Sequence, residues 1–233
     1  MISLKELIGN NHIKEIIKQH FFHAYIIEGT EGSGKHTLSE LLSRAMVCGA
    51  EEKPCGHCKS CEKYLSGNHP DIMRIDGSSK ITEMREYLST VNLAPNDCDK
   101  KIYIINNADK LTPLVQNTLL KPLEEPLAHV LFILIATAKE NLLETVRSRC
   151  VCLTMLPVVE EDILKFLKNK YPNLEDSILK EAVFLSGGYI GRAIENIEAE
   201  KNLIDDNCGE FYKAFEENNY SKMLDIISFK QRN

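Results

Sequence analysis

The segment Gly29-Thr30-Glu31-Gly32-Ser33-Gly34-Lys35-His36-Thr37 constrains this chain most, because it meets the pattern G-x-x-x-x-G-K between two stretches of different periodicity. Tyr25-Ile26-Ile27 before it reads as a strand, and Thr37 to Val47 after it carries a helical pattern. A glycine-rich turn from strand to helix lets backbone N–H groups converge on phosphate oxygens at the positive end of the helix, while the lysine reaches the terminal phosphates. The candidate nucleotide-binding residues are therefore Gly29, Gly32, Gly34, Lys35, His36 and Thr37, and the ligand they would take is ATP or ADP. His36 is a departure, since Ser or Thr at that position ligates Mg²⁺. Thr37 comes one residue too late to replace it without a change of register. The same residues also fit a glycine-rich turn that has kept its shape and lost its ligand.

A second departure lies at the end of the strand Ile102-Tyr103-Ile104-Ile105, which runs into Asn106-Asn107-Ala108-Asp109. Phosphoryl transfer to water needs a metal held by an acidic residue and a group that orients the water. An Asn amide supplies neither negative charge nor a proton acceptor. Asp109 is acidic but lies beyond the strand end, Ile133-Leu134-Ile135-Ala136 ends in Thr137, and Met73-Arg74-Ile75 ends in a lone Asp76. Unless another strand takes this place in the fold, the loop speaks for nucleotide and the strand end speaks against hydrolysis.

Strands expected at 25–27, 72–75, 102–105 and 130–136 alternate with helices at 37–47, 81–91 and 111–123, the signature of a doubly wound parallel α/β layer. Val130 to Ala136 is apolar throughout and reads as a central strand buried on both faces. Leu4, Leu7, Ile8, Ile13, Ile16 and Ile17 predict an amphipathic helical start. Past Pro157 no strand is expected; helices over 159–169, 174–186 and 190–198 give a small helical unit. The expected organisation is an α/β domain over 1–154, a helical domain over 155–205, and a further helical domain beginning in 206–233. Asp205–Gly209 reads as a hinge, and the amphipathic pattern Glu210–Phe229 stops at Asn233 as in a shortened form of a longer protein. With 233 residues and 43% hydrophobic content the chain can bury such a core, and its net charge of −6 argues against a surface devoted to nucleic acid. No signal peptide or long apolar run is seen, so the expectation is a soluble cytoplasmic protein with no membrane partner.

Cys48, Cys55, Cys58 and Cys61 are spaced C-x6-C-x2-C-x2-C inside the insert 48–69, with His57 and His69 nearby. Four thiolates so close suit tetrahedral Zn²⁺ in a closed structural site, with no open position for catalysis. An iron–sulfur run would want a fourth cysteine where Leu65 stands, and unligated thiols are the remaining reading. Cys98, Cys150, Cys152 and Cys208 have no such spacing.

Leu7-Ile8-Gly9-Asn10, His23-Ala24, the Gly29 loop, the four-cysteine insert, Leu119-Leu120-Lys121-Pro122-Leu123-Glu124-Glu125-Pro126 and Ser148-Arg149-Cys150 occur in the order of a known family. Together they resemble bacterial clamp-loader subunits of the AAA+ class. The fold this implies is a AAA+ P-loop parallel sheet with helices on both faces, a four-Cys zinc insert and a small helical lid domain, followed in the family by a helical collar domain. Asn106, Asn107 and His36 favour the non-hydrolysing delta-prime type of DNA polymerase III over the ATP-hydrolysing gamma/tau type. The resemblance implies that Arg149 is an arginine finger for a neighbour's ATP site, that Arg192 in Gly187-Gly188-Tyr189-Ile190-Gly191-Arg192 matches the sensor-2 arginine, and that Thr137 falls near sensor 1. On the residues alone, Arg149 reads as one half of a surface salt bridge and Arg192 as a helix-surface arginine. The implied partners are gamma/tau ATPase subunits, a delta subunit and, through the complex, the sliding clamp and primer-template DNA. Two rival functions stay open: an active clamp-loader ATPase using Asp109 or Asp76, and a zinc-containing nucleic-acid binding module.

Overall fold

The computed structural model describes residues 4–199, so the expected hinge at 205–209, the helix at 210–229 and the 206–233 domain lie outside the described residues. Five parallel strands form one sheet: β1 (Ala24–Glu28), β2 (Ile72–Asp76), β3 (Lys101–Asn106), β4 (Val130–Ala136) and β5 (Val151–Thr154), in the spatial order β2-β3-β4-β1-β5. The chain leaves β1 for the far edge, returns through β3 and β4, and then passes to the other side of β1. The loop after β1 therefore opens at the carboxyl edge near the point where strand order reverses, the usual crevice for a ligand in an open α/β sheet.

Alternation along each strand feeds two cores. Tyr25 and Ile27 of β1, with Leu131, Ile133 and Ile135 of β4, pack on one face against Ile13 and Ile17 of α1 (Asn11–Gln19) and Leu38, Leu41 and Leu42 of α2 (Lys35–Val47). Ala24 and Ile26, with Phe132 and Leu134, face the other way. They meet Met84 of α4 (Ile81–Ser89), Val115, Leu119 and Leu123 of α5 (Pro113–Glu124), and Val146 of α6 (Glu144–Arg147). α3 (Lys59–Leu65) lies within the cysteine insert. Pro113 sits in the first turn of α5, where its missing N–H costs nothing, and Thr112 caps that helix by accepting from the Val115 N–H. Tyr103 and Phe132 stack at the sheet centre with centroids 5.1 Å apart.

Beyond the sheet, α7 (Glu160–Lys170), α8 (Asp176–Ser186) and helical backbone over 190–199 enclose a third core of Ile163, Leu167, Leu179, Val183, Ala193 and Ile197. Two expectations need correction. The amphipathic pattern at the N-terminus does not make one helix from its start: Gly9 and Asn10 hold positive φ, +65° and +48°, and α1 begins only after them. The strand β5 was not foreseen, because only Leu153 of its four residues is buried and an edge strand shows no apolar run. Among the described residues no helix is long and apolar enough to cross a membrane.

Candidate functional site

The phosphate loop closes one end of a cavity of about 660 Å³. Gly32 and Gly34 adopt φ of +75° and +92°, which only glycine takes without strain, and they turn the chain from β1 into α2. Gly34 is the N-cap of α2 and has no side chain to cap it, so the first-turn N–H groups are free of a side-chain cap. Lys35 is buried, and its Nζ donates to the carbonyls of Gly29 and Thr30 within the loop itself. Burial pulls its pKa below the usual lysine value, against the attraction of Asp109 and Glu31. The Ser33 hydroxyl lines the cavity, is buried, and has no hydrogen-bond partner. His36 and Thr37 are exposed on the first turn of α2 and also line the cavity. A loop with a buried cation, first-turn N–H groups without a side-chain cap and an unpaired buried hydroxyl fits an anionic phosphate ligand. The opposite wall is apolar, formed by Leu7, Ile8, Val158, Ile190 and Ile194, and suits a flat ring.

Beneath the loop, Glu28 ends β1 and accepts from the Lys139 Nζ at 2.9 Å, the Lys139 N–H at 3.2 Å and the Thr154 hydroxyl at 3.0 Å. Burial alone would raise its pKa, but these donors prevail and hold it below the ordinary glutamate value. The cluster fastens the ends of β1 and β5 to the segment after β4.

At the carboxyl end of β3 the structure places Asn106 opposite Asp76 of β2, and Asn107 at φ +51° lining the cavity. Asp76 accepts from the Ser78 N–H at 2.9 Å and the Ser78 hydroxyl at 2.6 Å through Oδ1, and from the Asn107 amide at 3.4 Å through Oδ2. Asp109 accepts the N–H groups of Thr137 and Ala138 through Oδ2, at 3.1 and 3.4 Å, and is not among the residues lining the cavity. Both carboxylates thus hold turns. Thr137 lines the cavity just after β4.

The helices after Pro157 dock straight onto the loop. The Gly191 N–H donates to the Gly32 carbonyl at 2.9 Å, and a Cβ on Gly32 would lie 2.6 Å from the Arg192 backbone nitrogen. Arg192 stands beside the loop with its guanidinium over the Tyr189 ring, 4.9 Å from the centroid, and does not line the cavity. Asn10 fastens the other side: its side chain accepts the Leu156 N–H at 2.8 Å and donates to the Leu156 carbonyl at 3.3 Å. Ser33, Asn10 and Gly191 were not singled out as acting residues from the sequence. The available signals were a polar residue inside a glycine loop, an Asn after Gly9, and a glycine opening a helix.

Cys48 ends α2, Cys58 is the N-cap of α3, and Cys61 lies inside α3. All four sulfur atoms of Cys48, Cys55, Cys58 and Cys61 lie within 4.8 Å of one another. The Cys55–Cys61 and Cys48–Cys58 pairs are 4.0 Å apart, close to the edge of about 3.8 Å for a tetrahedron with metal–sulfur bonds near 2.3 Å. The Cys48 sulfur accepts the Cys55 N–H at 3.3 Å. The backbone at His57 lowers the Cys55 thiol to about 6, while burial raises that of Cys61 to about 12. The donor set fits a closed, thiolate-ligated metal. His57 is exposed and bonds the Cys55 carbonyl; buried His69 accepts the Asp71 N–H through Nδ1, outside the four-sulfur group.

Arg149 precedes β5, at the amino edge of the sheet. The phosphate loop leaves β1 at the carboxyl edge, and five strand residues separate those edges by roughly 17 Å. Arg149 Nη2 pairs with Glu124 Oε1 at 2.6 Å, and Nη1 donates to the Thr145 carbonyl at 2.7 Å. Both side chains of the ion pair are partly exposed.

Residues 5–158 match the family model described as "DNA polymerase III, delta subunit". The gamma subunit of DNA polymerase III from Buchnera aphidicola (subspecies Acyrthosiphon pisum, strain APS) is 34% identical over 214 residues, covering 85% of this chain and 59% of that protein. The delta' subunit from Bacillus subtilis (strain 168) is 35% identical over 189 residues, covering 73% of this chain and 56% of that one. The chain thus spans less than two thirds of the length of these relatives. Among solved structures, the Thermotoga maritima RuvB Holliday junction branch migration motor superposes with a TM-score of 0.59 at 16% identity, over 98% of this chain and 72% of that one. That likeness shows the fold alone. With the parallel sheet, the phosphate loop and the four-cysteine insert in place, the match over 5–158 is decisive: the chain belongs to the clamp-loader subunit family of DNA polymerase III.

Proposed function

We propose that this chain is a non-hydrolysing clamp-loader subunit of the delta-prime type, which lends Arg149 to the ATP site of a neighbouring gamma/tau-type subunit while the sliding clamp is loaded on primer-template DNA. The observation that carries the reading is the carboxyl end of β3, where Asn106 ends the strand, Asn107 lines the cavity, and neither Asp76 nor Asp109 does. Arg149 supports the in-trans part, because it lies at the sheet edge opposite its own loop. Its present partner is a weak tether: a partly exposed ion pair is worth about 0.2–1 kcal/mol. An arginine finger is worth about 10³ to 10⁵ in rate, roughly 4–7 kcal/mol of barrier, and giving up the Glu124 pair would offset little of that.

In this reading the four cysteines hold a structural Zn²⁺ and the described helices after Pro157 act as a lid domain. The subunit takes its place in a ring that includes a delta subunit, and the protein is cytoplasmic. Arg192 stands ready beside the loop to meet a phosphate when it leaves Tyr189. The test is reconstitution of the complex with its ATPase partners, comparing clamp-dependent hydrolysis for wild type and Arg149→Ala. A loss of about 10²-fold or more is expected; unchanged turnover would remove the in-trans role.

A second reading, a hydrolysing gamma/tau-type subunit, is favoured by the similarity to gamma subunits. Turnover by the isolated chain that vanishes in Lys35→Ala would establish it in place of the first.

A further inference from the structure

The donor set around the cleft does not suit a phosphate-bound Mg²⁺, although the loop suits phosphate. Mg²⁺ wants near-octahedral oxygen ligands, and in P-loop proteins the protein's share comes from a hydroxyl at the first helical turn and a carboxylate at the neighbouring strand end. Here the first position is His36, whose imidazole is a poor partner for Mg²⁺. The strand end offers the amides of Asn106 and Asn107. Asp76 accepts from Ser78 and Asn107, Asp109 accepts the N–H groups of Thr137 and Ala138 through Oδ2 alone, and neither carboxylate lines the cavity.

Phosphate recognition itself is intact. The first-turn N–H groups of α2 have no side-chain cap, and Ser33 Oγ is buried, unpartnered and on the cavity wall. Lys35 Nζ rests on two carbonyls of its own loop, a position from which it can turn to an incoming oxygen. Lys35 is the buried cation of the cavity lining; at the exposed rim Glu31 and Glu195 stand with Lys170, and Glu6 pairs with Arg44 at 3.3 Å.

We infer that this cleft binds a nucleoside di- or triphosphate through its own loop, without any divalent cation. The inference rests on the non-hydrolysing reading above and extends it to the ligand of that subunit's own site.

The test is calorimetric titration of ADP and of ATP into the whole chain, with and without millimolar Mg²⁺. Magnesium is removed by passing the buffers over a resin, not by a chelator in solution, so that the four-cysteine cluster keeps its metal. The expected result is ADP and ATP affinities that Mg²⁺ changes by less than about threefold, both lost in Lys35→Ala. The double variant His36→Thr, Asn106→Asp should gain magnesium-dependent ATP binding. A tenfold or greater rise in wild-type affinity on adding Mg²⁺ overturns the inference, and so does the absence of ADP and ATP binding under both conditions. Neither failure touches the in-trans role of Arg149, which the reconstitution reads separately.

Discussion

Replacing Gly191 with Ala should undock the lid from the phosphate loop while leaving the fold intact. A Cβ at position 191 would stand 2.5 Å from the Gly32 Cα and 2.8 Å from the Gly32 carbonyl oxygen. Carbon atoms pack at about 3.5–4.0 Å, and both obstacles are backbone, so no rotamer change can make room. The helix that starts at 190 must withdraw by about 1 Å or more, which stretches the Gly191 N–H bond to Gly32 past its useful range. The lost bond costs about 0.5–1.5 kcal/mol and the strained contact about 1–3 kcal/mol. Against this, Ala favours a helix over Gly by up to about 1 kcal/mol. The balance falls on the docking contact, since the lid keeps its own core of Ile163, Leu167, Val183 and Ile197. Amide hydrogen exchange is the assay. Exchange at position 191 should quicken about tenfold for each 1.4 kcal/mol lost, while amides in β3 and β4 keep wild-type protection. Equal exchange at position 191 in both proteins would refute the reasoning. A parallel loss of protection in the sheet would show that the contact supports the whole fold and not only the lid.

Glu28→Gln tests the fastening beneath the loop, and should cost about 1–3 kcal/mol at neutral pH by urea titration. The native pKa is depressed, so the carboxylate's contribution is complete above the ordinary glutamate value and fades as pH falls through the lower folded value. The gap between wild type and Glu28→Gln should therefore be constant at neutral pH and close in acid; a gap that widens in acid would contradict the assignment. Cys61→Ser should abolish stoichiometric zinc, read by elemental analysis as one ion per chain in the wild type, and lower the thermal midpoint. Full zinc retention in that variant would exclude Cys61 as a ligand.

What the sequence made legible follows the strength of its local signals. The sheet was readable because β3 and β4 are apolar on both faces and end at marked positions, Asn106 and Thr137. The four thiols were readable because metal geometry imposes a spacing. Three features were not, each for a physical reason. β5 packs one face lightly at an edge, so its burial leaves no run to detect. The first helix starts late because Asn10 spends its backbone on a left-handed turn and its amide on Leu156, a partner 146 positions away. The docking of Gly191 on Gly32 depends on two missing side chains, and an absent Cβ leaves no periodicity. Arg149 is the instructive middle case. Its local chemistry predicts an ion pair, and the structure supplies one with Glu124. That pair does not argue against a role in trans, because a partly exposed ion pair contributes about 1 kcal/mol or less. Its position at the amino edge of β5 has the greater weight: a residue there cannot reach the phosphates of its own chain across the length of β1. On the proposed reading, the nucleotide that Arg149 serves belongs to another subunit.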